Sequence, residues 1–374
     1  MNLANRSTVT ENSEKAAKVM KMTQERVMEK RVYSGCPHHC VFAIGNTFKK
    51  EHQQEMMLHP NTTHSNHSSS FALVRIPGTK ALHIWISVPL VLMYMITLLG
   101  NSALVFIIKT EESLHKPMYI FLCMLAVTDI GLSLATMPTV LGAIWFELQE
   151  IAEDACLLQM FFIHAFSVME SSVLLAMAFD RFVAICIPLR YSSILTIKLI
   201  TTIGIMIVIR GTIILLPIPI LVKNFPKCRP AVLSHPFCLH PDLMKEICPA
   251  SPANSAYSLF AVLSTMGLDA MFILLSYIMI LKTVFGFASA EEQLKSFNAC
   301  ATHMCVVLVF YSPMIAVSMV HRYGHHVSPI LQILLTFIHF LLPPTVNPIV
   351  YGIKTKQIQL GLVHKTVLMY LMYA

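Results

Sequence analysis

The sequence predicts an all-α, multi-pass membrane protein built as a bundle of seven transmembrane helices. Of its 374 residues, 55% are hydrophobic and only 13% are charged, about half of the ~25% that is usual in soluble domains. Seven segments also exceed the ~20 residues that cross a bilayer as a helix. Each carries at most one Asp, Glu, Lys or Arg. In chain order, the predicted spans one to seven are Ile84–Ile108, Pro117–Trp145, Ala155–Phe179, Leu199–Val222, Ala250–Leu281, Ser296–Val320 and Val327–Ile353.

Charge in the connecting loops predicts the orientation of the bundle. The loops that follow spans one, three and five carry lysines and arginines, as does the tail after span seven. The short loop after span two is acidic, with Glu147, Glu150, Glu153 and Asp154. Because basic loops stay in the cytoplasm, we expect an extracellular N-terminus and a cytoplasmic C-terminus.

The regions outside the spans divide into three parts. Residues 1–56 are polar and charged, which favours a disordered extension without a separate domain. Residues 57–83 form the predicted extracellular N-terminus, where Asn61 and Asn66 begin glycosylation acceptor sequences. The seven-span domain itself occupies 84–353. In the tail 354–374, apolar residues recur at helical spacing, which predicts a short amphipathic helix on the inner leaflet.

Ionisable side chains within the spans mark candidate functional positions, because they are costly in hydrocarbon. Asp129 and Glu170 lie deep in spans two and three, where each needs a polar interior, an ion or a proton. Arg210 and Asp269 lie near the middle of spans four and five, and we expect them to pair. The adjacent acid and base Asp180-Arg181 predict where span three meets the cytoplasm.

Four cysteines are expected on the outer side, which is an oxidising space. Cys156 begins span three, and Cys228, Cys238 and Cys248 follow span four at ten-residue spacing. Four cysteines allow three pairings, and the spacing alone leaves all three open. The sequence around Cys238 holds two histidines, but a cysteine in a disulfide cannot bind metal as a thiolate. We therefore predict neither a metal nor a cofactor.

Several classes of function are disfavoured by what the chain contains. Basic residues are scattered among loops, which argues against nucleic-acid binding. The chain has no Ser/His/Asp arrangement or His-Glu-x-x-His sequence, so we do not expect an enzyme. A transporter or channel is a weaker alternative, because the halves of the chain show no internal symmetry.

Short motifs at several spans resemble those of rhodopsin-like G-protein-coupled receptors, and within that group the olfactory receptors. The most specific is Met177-Ala178-Phe179-Asp180-Arg181-Phe182-Val183-Ala184-Ile185-Cys186. The others are Gly100-Asn101, Leu114-His115-Lys116-Pro117-Met118-Tyr119, Pro188-Leu189-Arg190-Tyr191, Ser276-Tyr277, Lys295 to His303 and Asn347-Pro348-Ile349-Val350-Tyr351. Ile76-Pro77-Gly78, Gly267-Leu268-Asp269 and Val320-His321-Arg322-Tyr323-Gly324 resemble the class I branch. The resemblance covers about residues 57–365, and Phe182 stands where the family usually has Tyr.

The resemblance implies a plasma-membrane odorant receptor that activates the stimulatory olfactory G protein and raises cyclic AMP. It implies disulfides Cys156–Cys238 and Cys228–Cys248, and a polar or sodium site at Asp129 and Glu170. It also implies that Arg181 contacts the G protein while Tyr277 and Tyr351 rearrange. The Asn347-Pro348 sequence is a natural hinge, because proline frees backbone groups in a helix.

For the ligand, we single out Arg322, whose guanidinium can hold a carboxylate through two parallel hydrogen bonds. His164 and Ser318 would complete a polar end of the pocket in the outer half of the bundle. Class I receptors are associated with hydrophilic odorants, so a short carboxylic acid is a plausible ligand. Arg322 as a loop salt bridge and His164 as a packing residue remain alternatives. A receptor for a small metabolite outside olfaction is the alternative function.

Overall fold

Seven long helices form the structure, which is a computed structural model. It describes residues 70–73, 80–146, 148–225, 232–245, 252–323, 327–354 and 358–359. Within those residues, seven helices are long and apolar enough to cross a membrane. The all-α seven-span prediction is confirmed.

Most of the spans are longer than the apolar segments that predict them; span two has the predicted bounds, and span seven begins and ends slightly later. Spans one, two, three, six and seven are single helices: Lys80–Thr110, Pro117–Trp145, Glu153–Cys186, Ala290–Tyr323 and Pro329–Lys354. Span four comprises Ile197–Leu215 and Pro217–Asn224, and span five comprises Pro252–Val262, a π-helical turn Leu263–Gly267, and Leu268–Phe285. Short helices occupy Glu112–Leu114, Pro188–Arg190, Tyr191–Ile194 and His240–Lys245.

Span three lies at the centre of the bundle and packs against spans two, four, five and six. In its most apolar stretch 67% of the residues are buried by protein, against 28% in spans four, five and six. Large apolar side chains on the outer spans point away from the protein, among them Ile205 and Leu274. Such a surface suits lipid and would be an aggregation liability in water.

Span three continues past the expected boundary at Arg181 and ends at Cys186. Its last turn packs beside span five, where the Cys186 Sγ lies 3.2 Å from the Thr283 hydroxyl. The helix stops just ahead of Pro188, because the residue before a proline is pushed out of the helical region. Because of this extension, Asp180 and Arg181 lie inside the span three helix, more than one turn before its C-terminal end.

Gly100 permits the close approach of spans one and seven. A Cβ at this position would lie 2.8 Å from the Pro348 Cβ, inside normal contact distance. The adjacent Asn101 is fully buried, and its amide donates to the carbonyls of Thr97 and Pro344, each at 3.0 Å. Because Pro348 removes a backbone donor from span seven, the bond to the Pro344 carbonyl satisfies the acceptor left over.

A three-stranded sheet covers one end of the bundle. The strand β1 (Ser70–Leu73) lies between β2 (Glu150–Ala152), which is antiparallel to it, and β3 (Val232–Leu233), which is parallel. Phe71 and Leu73 of β1 are buried beneath it. The sequence did not predict this sheet, which connects the segment before span one to the loops after spans two and four.

Candidate functional site

The segment 232–245 forms a lid over the end of the bundle at which span three begins, and it is attached to that span. A disulfide joins Cys156 to Cys238, and the structure thus contains one of the two pairings that the resemblance implies. One turn along the helix, the Gln159 amide oxygen accepts from the Cys238 backbone N–H at 3.0 Å. Its nitrogen donates to the Ala135 carbonyl and to the Thr139 hydroxyl, each at 2.7 Å. The lid is therefore tied to spans two and three.

The other side of the lid is attached to span seven through a buried hydrogen bond of His235. His235 contacts the Asp242 carboxylate through Nδ1 and lies 3.2 Å from the Thr336 hydroxyl through Nε2. Lys245 donates to the same carboxylate at 3.0 Å. Burial opposes ionisation of Asp242, but its bonds to His235 and Lys245 prevail and hold its pKa below the ordinary value.

Aromatic packing completes the attachment of the lid. Phe237, which precedes the disulfide, is 1% exposed and packs edge-on against Phe337 and Phe340 of span seven. The ring centroids are 5.7 and 5.8 Å apart, within the range in which such pairs stabilise a core. Because the lid is attached to spans two, three and seven, its conformation is fixed before any ligand binds beneath it.

Three histidines lie at the underside of the lid: His164 of span three, His240 of the lid itself and His339 of span seven. His164 Nε2 accepts from the backbone N–H of His240 at 3.4 Å, so the proton of a neutral His164 belongs on Nδ1. The rings of His240 and of His339, which belongs to span seven, both lie close enough to His164 to act on it electrostatically. Burial lowers the pKa of His240 to about 4, which keeps that ring neutral at physiological pH.

Two of these rings retain unused hydrogen-bonding capacity. Among the described residues, His240 Nε2 and His339 Nδ1 are buried and have no hydrogen-bond partner. A buried polar atom without a partner is uncommon and calls for an explanation. Two such atoms at the underside of the lid form a polar region, and a small ligand with acceptor oxygens would satisfy their hydrogen-bonding capacity.

The other predicted ligand residues are less completely described. Ser318 is exposed on span six, and within the described part of the chain it forms no hydrogen bond with His164. Arg322 falls in the last turn of the span six helix, and its side chain lies outside what the structure describes. The structure therefore brings together His164 and two histidines that sequence reasoning did not select as ligand residues.

Arg210 and Asp269 form the expected pair at the middle of the bundle. Arg210 Nη1 lies 2.7 Å from Asp269 Oδ1 and donates to Ser172 Oγ at 2.8 Å. Its Nη2 donates to the Ser264 and Thr265 carbonyls at 2.9 and 3.0 Å. Those carbonyls belong to the π-helical turn of span five, where the hydrogen bonding departs from the regular α-helical pattern.

The pair is extended to span six through span three. Ser171 Oγ donates to Asp269 Oδ2 at 3.0 Å and lies 2.8 Å from the Tyr311 hydroxyl. Asp269 and Ser171 are fully buried or nearly so. One hydrogen-bonded network thus links spans three, four, five and six, and a shift of any of them disturbs the other three.

Asp129 and Glu170 face each other in the buried core. Asn347 donates to Asp129 Oδ2 at 2.9 Å and also interacts with Glu170. Among the described residues, four buried oxygen atoms of this cluster have no partner: Asp129 Oδ1, Glu170 Oε1, Ser133 Oγ and Asn347 Oδ1. Clustered acceptor oxygens fit a hard cation or a carboxyl proton.

At the opposite end from the lid, Arg181 is held by its own neighbour. Its Nη2 and Nε donate to Asp180 Oδ2 at 2.6 and 3.0 Å. The Tyr191 hydroxyl donates to the other oxygen, Oδ1, at 2.8 Å. Burial and the Asp180 carboxylate raise the pKa of Tyr191, so the phenol keeps the proton that it donates.

Two tyrosines surround this pair. Tyr277 of span five is hydrogen-bonded to the His303 ring of span six. Tyr351 of span seven is buried, and its hydroxyl has no partner among the described residues. The free Tyr351 hydroxyl is available for a different arrangement of the helix ends.

The remaining predicted sites fall on residues that the structure does not describe. They are the second disulfide, Cys228–Cys248, and the glycosylation acceptors Asn61 and Asn66. The extension 1–56 lies outside the described residues as well, as does most of the tail 354–374. Across the described ranges no group of three or more His, Cys, Asp or Glu is arranged to hold a metal ion.

Comparison with known proteins agrees with this architecture. The family model described as olfactory receptor matches residues 90–369. Human olfactory receptor 51G2 is 51% identical over 300 residues, which cover 80% of this chain and 96% of that receptor. Human olfactory receptor 51L1 is 51% identical over 298 residues, covering 80% and 95%. Mouse olfactory receptor 51E2 is 48% identical over 299 residues, covering 80% and 92%.

The family model covers the chain from within span one to beyond the end of span seven. The relatives are receptors of the class I branch, which signal through G proteins and are not enzymes. The chain belongs to the olfactory receptor family, as a class I, multi-pass receptor of the plasma membrane that responds to odorants.

Proposed function

We propose that this receptor detects a small hydrophilic odorant, a short carboxylic acid being favoured, in the outer half of the bundle. The observation that supports this most directly is the pair of unpartnered, buried ring nitrogens on His240 and His339. Either nitrogen can donate to a ligand oxygen in the appropriate tautomer. The apolar rings of Phe237 and Phe340 nearby suit a short aliphatic tail.

Arg322 supplies the charge in this proposal. It occupies the outer end of span six, and Ser318 precedes it by one helical turn on the same face. A guanidinium binds a carboxylate through two parallel hydrogen bonds. Neutral histidines alone favour alcohols and acids about equally, so Arg322 is what would select the acid.

The signal would pass through the bundle as a shift between two states. A ligand shifts the population only by its difference in affinity for them. The intact Asp180–Arg181 pair and the Tyr277–His303 bond suit the resting state. Release of Arg181 toward a stimulatory G protein, with Tyr351 closing on the freed space and Asn347-Pro348 as the hinge, would give the active state and raise cyclic AMP.

Asp129 and Glu170 would stabilise the resting state by holding a sodium ion or a shared proton. The four unpartnered oxygen atoms around them supply ligands of the right chemistry. We place the N-terminus outside and the C-terminus in the cytoplasm, next to lipid headgroups, from the distribution of basic loops. The lid disulfide agrees with this orientation, because disulfides persist in oxidising spaces.

The test is cyclic AMP in cells that express the full chain, challenged with short acids and with the alcohols of equal length. We expect Arg322→Ala to raise the half-maximal concentration of an acid at least about tenfold, as loss of a charged hydrogen bond predicts. The response to an alcohol should change little. Arg322→Lys is the matched control, since it keeps the charge without the paired geometry and should fall between the two.

Surface labelling of each variant separates lost binding from lost delivery to the membrane. Equal potency of acids on the wild-type and Arg322→Ala receptors would remove the acid site and leave the receptor assignment intact. A response that needs no ligand oxygen at all would remove the role of the histidines.

A further inference from the structure

A cavity lies between spans three, four and five, and no residue of the lid lines it. Its volume is about 580 Å³, within the range of about 300–1,000 Å³ that small-molecule sites occupy. Thr202, Met206 and Arg210 line it from span four, and Phe272 and Ser276 line it from span five. Ser276 precedes Tyr277, so the cavity belongs to the half of the bundle that carries Asp180-Arg181.

The cavity opens sideways, toward the bilayer. Met206 is 57% exposed and Phe272 is 48% exposed, and both project from the outer faces of transmembrane helices. Thr202 is about 12 Å along the helix axis from Arg210, at a rise of 1.5 Å per residue. The cavity therefore runs along the membrane for the length of a medium aliphatic chain.

Arg210 makes the deep end of this cavity polar. Its side chain is 27% exposed although it lies halfway along span four. Both terminal nitrogens are used, by Asp269, Ser172 and two backbone carbonyls. Within the described part of the chain, the Nε–H has no acceptor. Halfway across the bilayer, a donor without a protein partner has no water to satisfy it.

The other polar groups along the cavity have local partners. The Ser276 hydroxyl donates to the Phe272 carbonyl at 2.8 Å, and the Thr202 hydroxyl donates to the Lys198 carbonyl at 2.9 Å. The Asp269 carboxylate already balances the Arg210 charge. A second anion would have to compete with that carboxylate, whereas a neutral oxygen needs only the free Nε–H.

We propose that this cavity is a second ligand site, entered from the bilayer, for neutral aliphatic amphiphiles with one acceptor oxygen, such as medium-chain alcohols or ketones. The chain lies along Met206 and Phe272, and the oxygen accepts from Arg210 Nε. Such molecules concentrate in membranes, so the lateral opening is a direct route of entry. The site is independent of the acid site beneath the lid.

Photolabelling of the full-length receptor in lipid nanodiscs tests this directly. The probes are a decanol analogue with a diazirine in its chain and the matching decane analogue. We expect the decanol probe to label peptides that contain Met206 or Phe272, and unmodified decanol to displace it. Decane should compete roughly tenfold less well, as one lost hydrogen bond predicts.

Met206→Trp fills the cavity from its lipid-facing side, and Ile205→Trp is the matched control. Ile205 is 55% exposed on the same helix but does not line the cavity. Labelling should be lost in the first variant and kept in the second, with equal thermal stability. Equal labelling of both variants would overturn the site. Equal competition by decane and decanol, which requires no variant, would overturn the role of Arg210.

Discussion

Removal of Arg210 should destabilise the receptor far more than removal of the pair to which it belongs. Arg210→Met leaves the Asp269 carboxylate buried with only the Ser171 and Ser172 hydroxyls as donors. It also leaves the Ser264 and Thr265 carbonyls without their donor. Breaking a buried pair in this way costs about 3–5 kcal/mol.

The double variant Arg210→Met/Asp269→Leu removes both charges, and replacing a buried pair by apolar residues is often close to neutral. We therefore expect the single variant to lower the Tm by about 6–15 °C, using roughly 2–3 °C per kcal/mol for a domain of this size. The double variant should recover more than half of that loss. Thermal unfolding of purified receptor in detergent measures both.

Lys223→Met is the control for this experiment. Lys223 also forms an ion pair, with Asp154 at 2.6 Å, but both side chains are largely exposed. Exposed pairs contribute little, so this variant should unfold at the wild-type temperature. If the double variant were at least as unstable as Arg210→Met, the two charges would not be coupled, and the reasoning above would be refuted.

Three further predictions concern the lid and the packing of the spans. Burial depresses the pKa of His240 to about 4. The contribution of the neutral ring to stability is therefore present above about pH 6.5 and is lost as the pH falls toward 4. Unfolding scans at several pH values should show that His240→Gln weakens this acid destabilisation, and an unchanged pH profile would contradict the assignment. Gly100→Ala should cost about 1–3 kcal/mol by overpacking against the rigid Pro348 ring, read as a lower Tm, whereas Gly352→Ala, with open space around it, should not. Cys156→Ser removes the lid disulfide, which joins residues 82 positions apart, and should cost about 2–5 kcal/mol of stability. Reduced surface expression would show this loss. Normal expression and stability would show that Gln159 and the aromatic contacts are enough to hold the lid in place.

The seven spans were predictable from sequence, because crossing hydrocarbon imposes a local requirement on about twenty neighbouring residues. The Arg210–Asp269 pair was predictable for a similar reason, since two opposite charges at the same depth have few other partners. The end of span three at Cys186 was not, because a helix can continue beyond the apolar stretch that predicts it. Hydropathy therefore located the helix and misplaced its last turn.

The polar site beneath the lid could be predicted only in part. His164 stood out because it lies within an apolar span, whereas His240 reads as an ordinary loop residue. Its burial depends on the disulfide at Cys238 and on the His235–Asp242 pair, which together fold the loop inward. The proximity of His240 to Cys238 was the one available signal, and it suggested a metal rather than a ligand pocket.

The strand β1 was missed because four residues of extended chain have no periodic signature, and its partners lie far away in sequence. That separation has a consequence for synthesis. Residues 70–73 leave the ribosome before both strands with which they pair, because β2 follows span two and β3 follows span four. As the middle strand, β1 exposes both hydrogen-bonding edges until those spans are made, and its buried Phe71 has no core to enter. The nascent receptor thus carries an incompletely paired, aggregation-prone strand while residues 74–231 are made, about two fifths of the chain. Variants in these four residues should fail in production rather than in signalling.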